Sequence, residues 1–471
     1  MKGPRSRGSC LSACAALALI SAVLAPHAVA SPGAPALRMA AIDRYIESEM
    51  RAQQIPGLSL ALFRNGVPVY VKGFGVATLE HAVPAQPRTV YQLGSIGKQF
   101  TAVAIMLLAD EHRLDLDAPL ARYLPEAPAS WAGVTVRRML NHQSGIAQLS
   151  DASHHLLDLR RDYSDGQLVR LAASQPLEFA PGTDADYSDT AYVLLGIVIN
   201  RVTHGFYGDF LQDRLFRPLG MRHTRIISDV DIVPDRASGY EITAGGALGN
   251  QSWVSPTLNR TADGSLYSTV LDLGLWDAAL YGNHVLPQEE LARMWTVDPV
   301  ENGHRPLYHY GYGWEINFLR GHRVIEYDGN WQGFQAAMAR YPDHQLTVVV
   351  LTNRSLCRTQ RLVHGVAGLV DPELVPYAAA LRDSDPAATA GFSRLLDSVR
   401  DGDASYSWAT ALARELRAVG PVRQVAFAEQ RVSDGARERV YRVELAQMVD
   451  YVSVRYTGDG MIADLDLYRE F

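Results

Sequence analysis

Ser95 and Lys98 are the residues of this chain whose types and spacing most directly suggest chemistry. They lie three positions apart in the segment Gly94-Ser95-Ile96-Gly97-Lys98. A serine hydroxyl is a poor nucleophile until a neighbouring group accepts its proton. A lysine amine accepts a proton only where burial or a nearby cation favours its neutral form. The pair therefore indicates a nucleophilic serine whose proton passes to a lysine.

The segment that follows the pair must hold it in place. Residues 99–110 are almost wholly apolar, which predicts a buried helix that the serine opens. Side chains three residues apart on a helix share a face, and the hydroxyl would lie near the positive helix end. The alternative is that Ser95 only caps the helix and Lys98 is a surface charge, because so short a pattern also occurs by chance.

Further motifs follow in order along the chain and argue against chance. With them the sequence resembles the serine β-lactamase and penicillin-binding protein superfamily. Within it the chain is most similar to the class C β-lactamase-like branch, which also holds D-alanyl-D-alanine carboxypeptidases, D-aminopeptidases and esterases. The resemblance spans about residues 42–353 and rests on these segments: 91–100, 113–117, 123–125, Asn141-His142-Gln143-Ser144-Gly145, Pro181-Gly182-Thr183, Tyr187-Ser188-Asp189, 215–221, 264–269, Gly311-Tyr312-Gly313-Trp314 and 329–334.

The resemblance implies a role for each residue at a motif position. Ser95 would attack the substrate carbonyl and form an acyl-enzyme, with Lys98 as its close proton acceptor. Tyr187 would relay protons between nucleophile, leaving group and water, which suits a tyrosine if nearby lysine charge favours its phenolate. The backbone amide of Ser95 and one from the last strand, near Gln335, would form the oxyanion hole. No metal ion or organic cofactor is implied.

Two positions depart from the family pattern. Asp189 stands where the motif Tyr-x-Asn has its asparagine, and an ionised Asp accepts hydrogen bonds but does not donate them. Such a carboxylate would keep Lys98 protonated, so that either Tyr187 carries more of the proton transfer or Asp189 orients the lysine. Tyr327-Asp328-Gly329 stands where the family has Lys-Thr-Gly or His-x-Gly, which removes the usual cation. We therefore expect poor recognition of the carboxylate of a penicillin or of D-Ala-D-Ala.

The motifs also name the residues expected to contact substrate, which are Asp189, Tyr327, Gly329, Trp331 and Gln335. Trp331 lies in a glycine-bounded loop beside the third motif and is expected to face the cleft. Arg260 and His309 are the candidates for a cation that replaces the missing one.

Periodicity along the chain predicts a mixed α/β (α+β) fold. Residues 38–54 have apolar side chains at helical spacing, and the runs 58–63 and 67–71 flank Asn65-Gly66, a typical hairpin turn. Short β-branched or aromatic runs at 323–327, 333–340 and 346–352 predict strands that share one sheet with this hairpin. The resemblance implies a β-lactamase-like fold, an antiparallel sheet flanked by helices plus an all-helical subdomain.

Composition divides the chain into three parts. Residues 1–30 have basic residues, then an apolar run, then Ala28-Val29-Ala30, which predicts a cleaved signal peptide and a periplasmic or secreted protein. Residues 31–375 hold the motifs and are predicted to form the serine hydrolase domain. Helical and then β patterns over residues 380–471 predict a small α+β accessory domain.

The overall composition excludes several classes of protein. The 471 residues are 47% hydrophobic and 20% charged, which is typical of a globular chain. A net charge of −7 without a basic stripe argues against nucleic acid, so the expected partner is a small molecule or short peptide. After signal cleavage no run is long enough to span a membrane, and the motifs do not specify an oligomeric state. His154-His155 is interpreted as a loop pair and not as metal ligands.

We interpret the chain as an exported serine hydrolase that cleaves an ester or amide through an acyl intermediate on Ser95. The missing third-motif cation favours an esterase-like enzyme acting on esters or small peptide-like amides over β-lactam resistance. A D-amino-acid-directed cell-wall peptidase, a carboxypeptidase or a β-lactamase stays open as an alternative, because export and fold favour it. A weakened enzyme that serves as a ligand-binding or regulatory protein is the other alternative, suggested by Asp189 and Tyr327.

Overall fold

The fold was analysed in a computed structural model that describes residues 34–149, 157–301, 306, 308–375, 382–403, 409, 412–413, 416–417, 420–433, 436–445, 449–458 and 461–469. The α-helices are α1 (Ala34–Ala52), α2 (Lys98–Asp110), α3 (Val136–Leu140), α4 (Asp165–Ala173), α5 (Asp189–Thr203), α6 (Tyr207–Leu211), α7 (Val270–Ala279), α8 (Gln288–Met294), α9 (Thr359–Val370) and α10 (Pro386–Arg400). The strands are β1 (Gly57–Arg64), β2 (Val67–Thr78), β3 (Val83–Pro84), β4 (Tyr91–Gln92), β5 (Arg225–Ile226), β6 (Tyr240–Ile242), β7 (Leu248–Asn250), β8 (Leu266–Ser268), β9 (Glu315–Leu319), β10 (His322–Trp331), β11 (Phe334–Tyr341), β12 (Leu346–Thr352), β13 (Gln424–Ser433), β14 (Ala436–Glu444), β15 (Val449–Tyr456) and β16 (Ile462–Arg469).

Seven antiparallel strands form the main sheet in the order β3-β2-β1-β12-β11-β10-β9. Because β1 pairs with β12, strands from the two ends of residues 57–352 lie side by side. This confirms the prediction that the amino-terminal hairpin and the later strands share one sheet. The hairpin between β1 and β2 turns at Asn65 and Gly66, whose φ angles of +54° and +71° fit the predicted type I′ turn. The mixed α/β fold with a large antiparallel sheet is therefore as predicted.

Both faces of the sheet are buried against helices. On β1, Leu58, Leu60 and Leu62 belong to a core shared with α1 and α9, whereas Ala61 and Phe63 belong to the larger core that contains α2, α5 and α7. Successive side chains of a strand point to opposite faces, so both sets are apolar. Each face is covered because the strand is apolar at nearly every position.

The region between β2 and β9 is mainly helical and carries α2 to α8. It also contains a three-stranded sheet, β4-β8-β5, and the pair β6-β7. The expected all-helical subdomain therefore includes short strands. With two or three residues each, they are too short for an alternating pattern to reveal them.

The last part of the described chain forms its own sheet, in the order β13-β14-β15-β16. The helix α10 packs on it, with Phe392 stacked on Tyr441 at 4.6 Å between ring centroids. The sequence also predicts a helix over residues 408–419 from its apolar spacing, but most of that segment lies outside the described residues. The accessory domain over residues 380–471 stays a prediction, since its boundary also lies there.

The predicted signal peptide, residues 1–30, and the pair His154-His155 lie outside the described residues. Among the helices that the structure describes, none combines the length and the apolar character needed to cross a bilayer.

Packing of α9 against the sheet predicts a large stability difference between two leucines of one helix. Leu362 is fully buried, whereas Leu369 is 36% exposed. Leu362→Ala should lower the free energy of unfolding by about 2–5 kcal/mol because it leaves a cavity. Leu369→Ala should change it by less than about 1 kcal/mol. Urea denaturation of both variants measures this, and equal losses would contradict the packing.

Candidate active site

Ser95 and Lys98 lie where a 3₁₀ turn, Gly94–Gly97, leads into α2. The side chain of Lys98 is completely buried. Its Nζ donates hydrogen bonds to Ser95 Oγ at 3.0 Å, to Asp189 Oδ1 at 2.6 Å and to the Asp263 carbonyl at 2.6 Å. An ammonium has three N–H donors, and all three are used here. The structure thus brings the predicted pair together, with the Lys98 side chain beneath the serine.

Three glycines let separate backbone segments meet at Ser95. Gly94 has a φ of +56°, and a Cβ on it would lie 2.6 Å from the backbone nitrogen of Asn330. A Cβ on Gly329 would lie 2.8 Å from the Ser95 nitrogen, and one on Gly264 would lie 2.4 Å from the Gly94 carbonyl carbon. Any side chain at these positions would force the backbones apart, so glycine is required for the approach.

Tyr187 and Asp189 flank Ser188, the residue that caps the start of α5. The Ser188 amide donates to His142 Nδ1 at 3.0 Å. Gln148 accepts a hydrogen bond from the Asp189 amide at 3.0 Å and donates to the Tyr187 carbonyl at 3.2 Å. The loop 141–149 thereby fixes both side chains relative to Ser95.

The hydroxyl of Tyr187 links Ser95 to Asp189. It donates to Asp189 Oδ1 at 2.7 Å and lies 2.5 Å from Ser95 Oγ. Because its single proton goes to Asp189, Ser95 is the donor to Tyr187. Burial, followed by the Asp189 carboxylate, raises the pKa of Tyr187 well above its usual value. Burial and the neighbouring carboxylate therefore keep Tyr187 as a neutral phenol.

His142 packs inside this cluster as a neutral ring. Burial and the Lys98 charge lower its pKa well below the usual value. Since Nδ1 accepts a hydrogen bond, the proton sits on Nε2, 3.5 Å from the Tyr327 hydroxyl. Its ring lies 5.0 Å from that of Tyr187. A ring held in this way supports the tyrosine, and its two nitrogens contact Ser188 and Tyr327.

A cleft of about 470 Å³ opens over Ser95. Five acidic residues line it, namely Asp186, Asp189, Asp263, Glu315 and Asp328. None of the lining residues in the described part of the chain is basic. The charged side chains that the structure describes along the cleft are therefore acidic, and the Lys98 ammonium beneath Ser95 is paired with one of them, Asp189.

The residues predicted to contact substrate divide into two groups. Asp189, Tyr327 and Trp331 line the cleft, whereas Gly329 and Gln335 are not among its lining residues. Gln335 pairs with Asn330 across the hairpin and donates to Asp328 Oδ2 at 2.9 Å. The amide that adjoins the Ser95 turn belongs to Asn330, because the hairpin places Gln335 on the next strand.

Neither candidate for a replacement cation lines the cleft. Arg260 stacks over Phe206 at 4.4 Å and borders a separate cavity of about 680 Å³. His309 lines a smaller pocket beside the cleft, together with Leu467 of β16. The described lining thus offers no side-chain cation in place of the family's third-motif residue.

Sequence reasoning missed Asp263. One of its carboxylate oxygens, Oδ1, is buried without a hydrogen-bond partner among the described residues. Burial and the charge of Asp189 raise the pKa of Asp263 from 3.8 to about 6. Asp263 immediately precedes segment 264–269, on which the family resemblance rests, but it is not part of that segment. Its position next to a motif was the signal that could have identified it.

Comparison with known proteins agrees with this architecture. A family model described as Beta-lactamase matches residues 42–361. Penicillin-binding protein 4* of Bacillus subtilis (strain 168) is 29% identical over 315 residues, which cover 64% of this chain and 68% of that protein. Protein flp of Staphylococcus aureus (strain MW2) is 31% identical over 205 residues, 43% of this chain and only 41% of that relative.

Two solved structures resemble the chain. The octameric penicillin-binding protein homologue from Pyrococcus abyssi has a TM-score of 0.63 at 23% identity and covers 92% of this chain and 98% of its own. D-amino acid amidase from Ochrobactrum anthropi SV3, complexed with L-phenylalanine amide, has a TM-score of 0.61 at 25% identity, with coverage of 72% and 97%. The first likeness concerns the fold alone.

The raised pKa of Asp263 predicts a stability effect that depends on pH. A folded-state pKa of about 6 against 3.8 means that the folded protein binds the extra proton between about pH 4 and 6, so wild-type stability falls as pH rises through this window. Asp263→Asn removes this loss of stability with rising pH, because the amide does not ionise. It should stabilise the protein at pH 7.5, on the order of 3 kcal/mol, and have little effect at pH 4. Urea denaturation at both pH values tests this, and a difference independent of pH would contradict it.

Proposed function

Because the chain belongs to the β-lactamase family of serine hydrolases, we propose that it cleaves esters or amides of small amine-bearing acids through an acyl intermediate on Ser95. One observation carries the proposal: the hydrogen-bonded series Ser95, Tyr187, Asp189 lies beside buried Lys98 and opens to a cleft lined by carboxylates.

The series provides a path for the serine proton. As Ser95 Oγ bonds to the substrate carbonyl carbon, its proton moves to the Tyr187 oxygen while the Tyr187 proton moves to Asp189. The Lys98 ammonium, 3.0 Å from Oγ, stabilises negative charge on the oxygen during attack. All three N–H groups of this ammonium already donate hydrogen bonds, so Lys98 takes no proton in this step. Asp189 is thus the acceptor, reached through the tyrosine.

The reverse path completes the reaction. When the tetrahedral intermediate collapses, Asp189 returns the proton through Tyr187 to the leaving oxygen or nitrogen, and the acyl group stays on Ser95. A water molecule then enters, gives its proton to the same path and attacks the acyl carbon. Collapse of this second intermediate breaks the bond between Ser95 Oγ and the acyl carbon, the same path returns the proton to Oγ, and the product acid leaves. Proton transfer by a positioned group contributes roughly 10²–10⁴-fold to such steps.

Backbone amides are the candidates for stabilising the developing oxyanion. The nitrogen of Ser95 and that of Asn330 come from the segments that the glycines bring into contact. Amides fixed by a helix start and a strand need no reorganisation during the reaction, which makes them effective donors. We propose these two, in place of the amide near Gln335.

The charge of the cleft supports an amine in the substrate. Asp189 is paired with Lys98, and the other charged side chains that the structure describes along the cleft are also acidic, so an ammonium group suits this lining better than the carboxylate of a penicillin or of D-Ala-D-Ala does. The similarity to a D-amino acid amidase supports D-amino acid amides as first substrates, alongside the esters favoured by the sequence. We further propose that the enzyme acts in the periplasm or outside the cell, as the signal-like residues 1–30 suggest.

This account predicts a preference that steady-state kinetics can measure. The p-nitroanilide and p-nitrophenyl ester of D-phenylalanine should be hydrolysed with a kcat/KM roughly tenfold or more above that of their N-acetyl forms, a difference of at least about 1.4 kcal/mol. Turnover of a chromogenic cephalosporin should be slow, because its carboxylate meets the acidic cleft. Equal or better hydrolysis of the acetylated compounds would rule out the amine preference.

Intact-mass spectrometry supplies the control for the acyl intermediate. The wild-type chain should gain the mass of the acyl group during turnover of the ester, and Ser95→Ala should gain none. An adduct that persists in Ser95→Ala, or no adduct with any reagent, would contradict acylation of Ser95. This result is independent of which acyl group the cleft prefers.

A further inference from the structure

A cluster of two histidines and a glutamate lies at the end of β10 opposite the catalytic residues. His322 begins β10, His344 ends a short 3₁₀ turn between β11 and β12, and Glu373 lies in the 3₁₀ turn that follows α9. One ligand atom from each lies within 4.8 Å of the others. We propose that these three side chains bind a divalent transition metal, with Zn²⁺ as the best-fitting ion.

The two imidazoles face each other with their ring nitrogens. His344 Nε2 lies 2.9 Å from His322 Nδ1. Two nitrogens bound to one tetrahedral Zn²⁺ lie roughly 3.3–3.4 Å apart, given Zn–N bonds of about 2.0–2.1 Å. A shift of a few tenths of an ångström, with the His322 proton moved from Nδ1 to Nε2, therefore admits the ion between them.

Asp371 orients two of the three ligands. Its Oδ2 lies 2.9 Å from His344 Nδ1, which sets the proton on that nitrogen and leaves the Nε2 lone pair toward the site. Its Oδ1 accepts the Glu373 backbone N–H at 3.2 Å, which fixes the turn carrying the glutamate. A carboxylate behind a ligating histidine is the arrangement that metal sites use to fix the ring and raise its basicity.

The ligand set favours zinc over the common hard cations. Ca²⁺ and Mg²⁺ prefer sites made of oxygen ligands, whereas imidazole nitrogen with one carboxylate suits Zn²⁺. His344 is largely buried and Glu373 is exposed, so a water molecule can complete four ligands from the solvent side. The bound ion joins the start of β10, the β11–β12 connection and the segment after α9, and thereby stabilises the sheet at this end of its strands.

Zinc titration of the full chain tests the site. After chelator treatment and dialysis, calorimetry with ZnCl₂ should give one ion per chain for the wild type, and Zn²⁺ should raise the unfolding temperature. Glu373→Gln should weaken affinity at least tenfold. Asp371→Asn should weaken it roughly 10–100-fold, as expected for an orienting carboxylate. MgCl₂ should produce no comparable shift.

Two further variants keep the test decisive. His344→Ala should abolish the stoichiometric binding; if that variant does not fold, Glu373→Gln, whose side chain is exposed, decides alone. His284→Ala changes an exposed histidine elsewhere and should bind Zn²⁺ as the wild type does. Absence of wild-type binding, or equal binding by the wild type, His344→Ala and Glu373→Gln, would overturn the proposal.

Discussion

The buried ammonium of Lys98 imposes the constraint that the rest of the site satisfies. A charged amine removed from water costs several kcal/mol unless a counter-charge and hydrogen bonds replace the solvent. Asp189 supplies the counter-charge, and the Asp263 carbonyl and Ser95 oxygen take the remaining donors. The substitution of Asp for the family's usual Asn thus has a physical reason. It neutralises the lysine and places a proton acceptor behind Tyr187.

The fold holds the side chains around the Lys98 ammonium in a fixed geometry. The start of α2 presents Ser95 and Lys98, the start of α5 presents Tyr187 and Asp189, and β10 closes the opposite side. Each element is held from behind by a packed core, since both faces of the sheet are buried. Glycines at the contact let the backbones approach closely enough for two amides to adjoin the serine. Rigid elements, and not loops alone, therefore set the distances on which proton transfer depends.

The sequence was sufficient for features encoded by local pattern. The hairpin at Asn65-Gly66, the buried helix after Ser95 and the strands β10 to β12 follow from turn chemistry and periodicity, and the motifs grouped Ser95, Lys98 and Tyr187. The sequence did not predict features that depend on contacts between segments far apart along the chain. Hairpin register places Asn330 against Gly94 and Gln335 on the next strand, and Asp263 enters the site only when its segment packs on α2. No local motif links His322, His344 and Glu373.

The kinetics of Asp189→Asn test the central claim, that the proton of Ser95 ends on Asp189 through Tyr187. The substitution keeps the size of the side chain and restores the family's usual residue. Single-turnover acylation by an activated amino-acid ester should slow by roughly 10²–10⁴-fold with substrate affinity little changed, while the unfolding temperature falls because the buried Lys98 ammonium loses its counter-charge. An acylation rate equal to or above that of the wild type would contradict the account, because it would show that Lys98 accepts the proton once the carboxylate is gone.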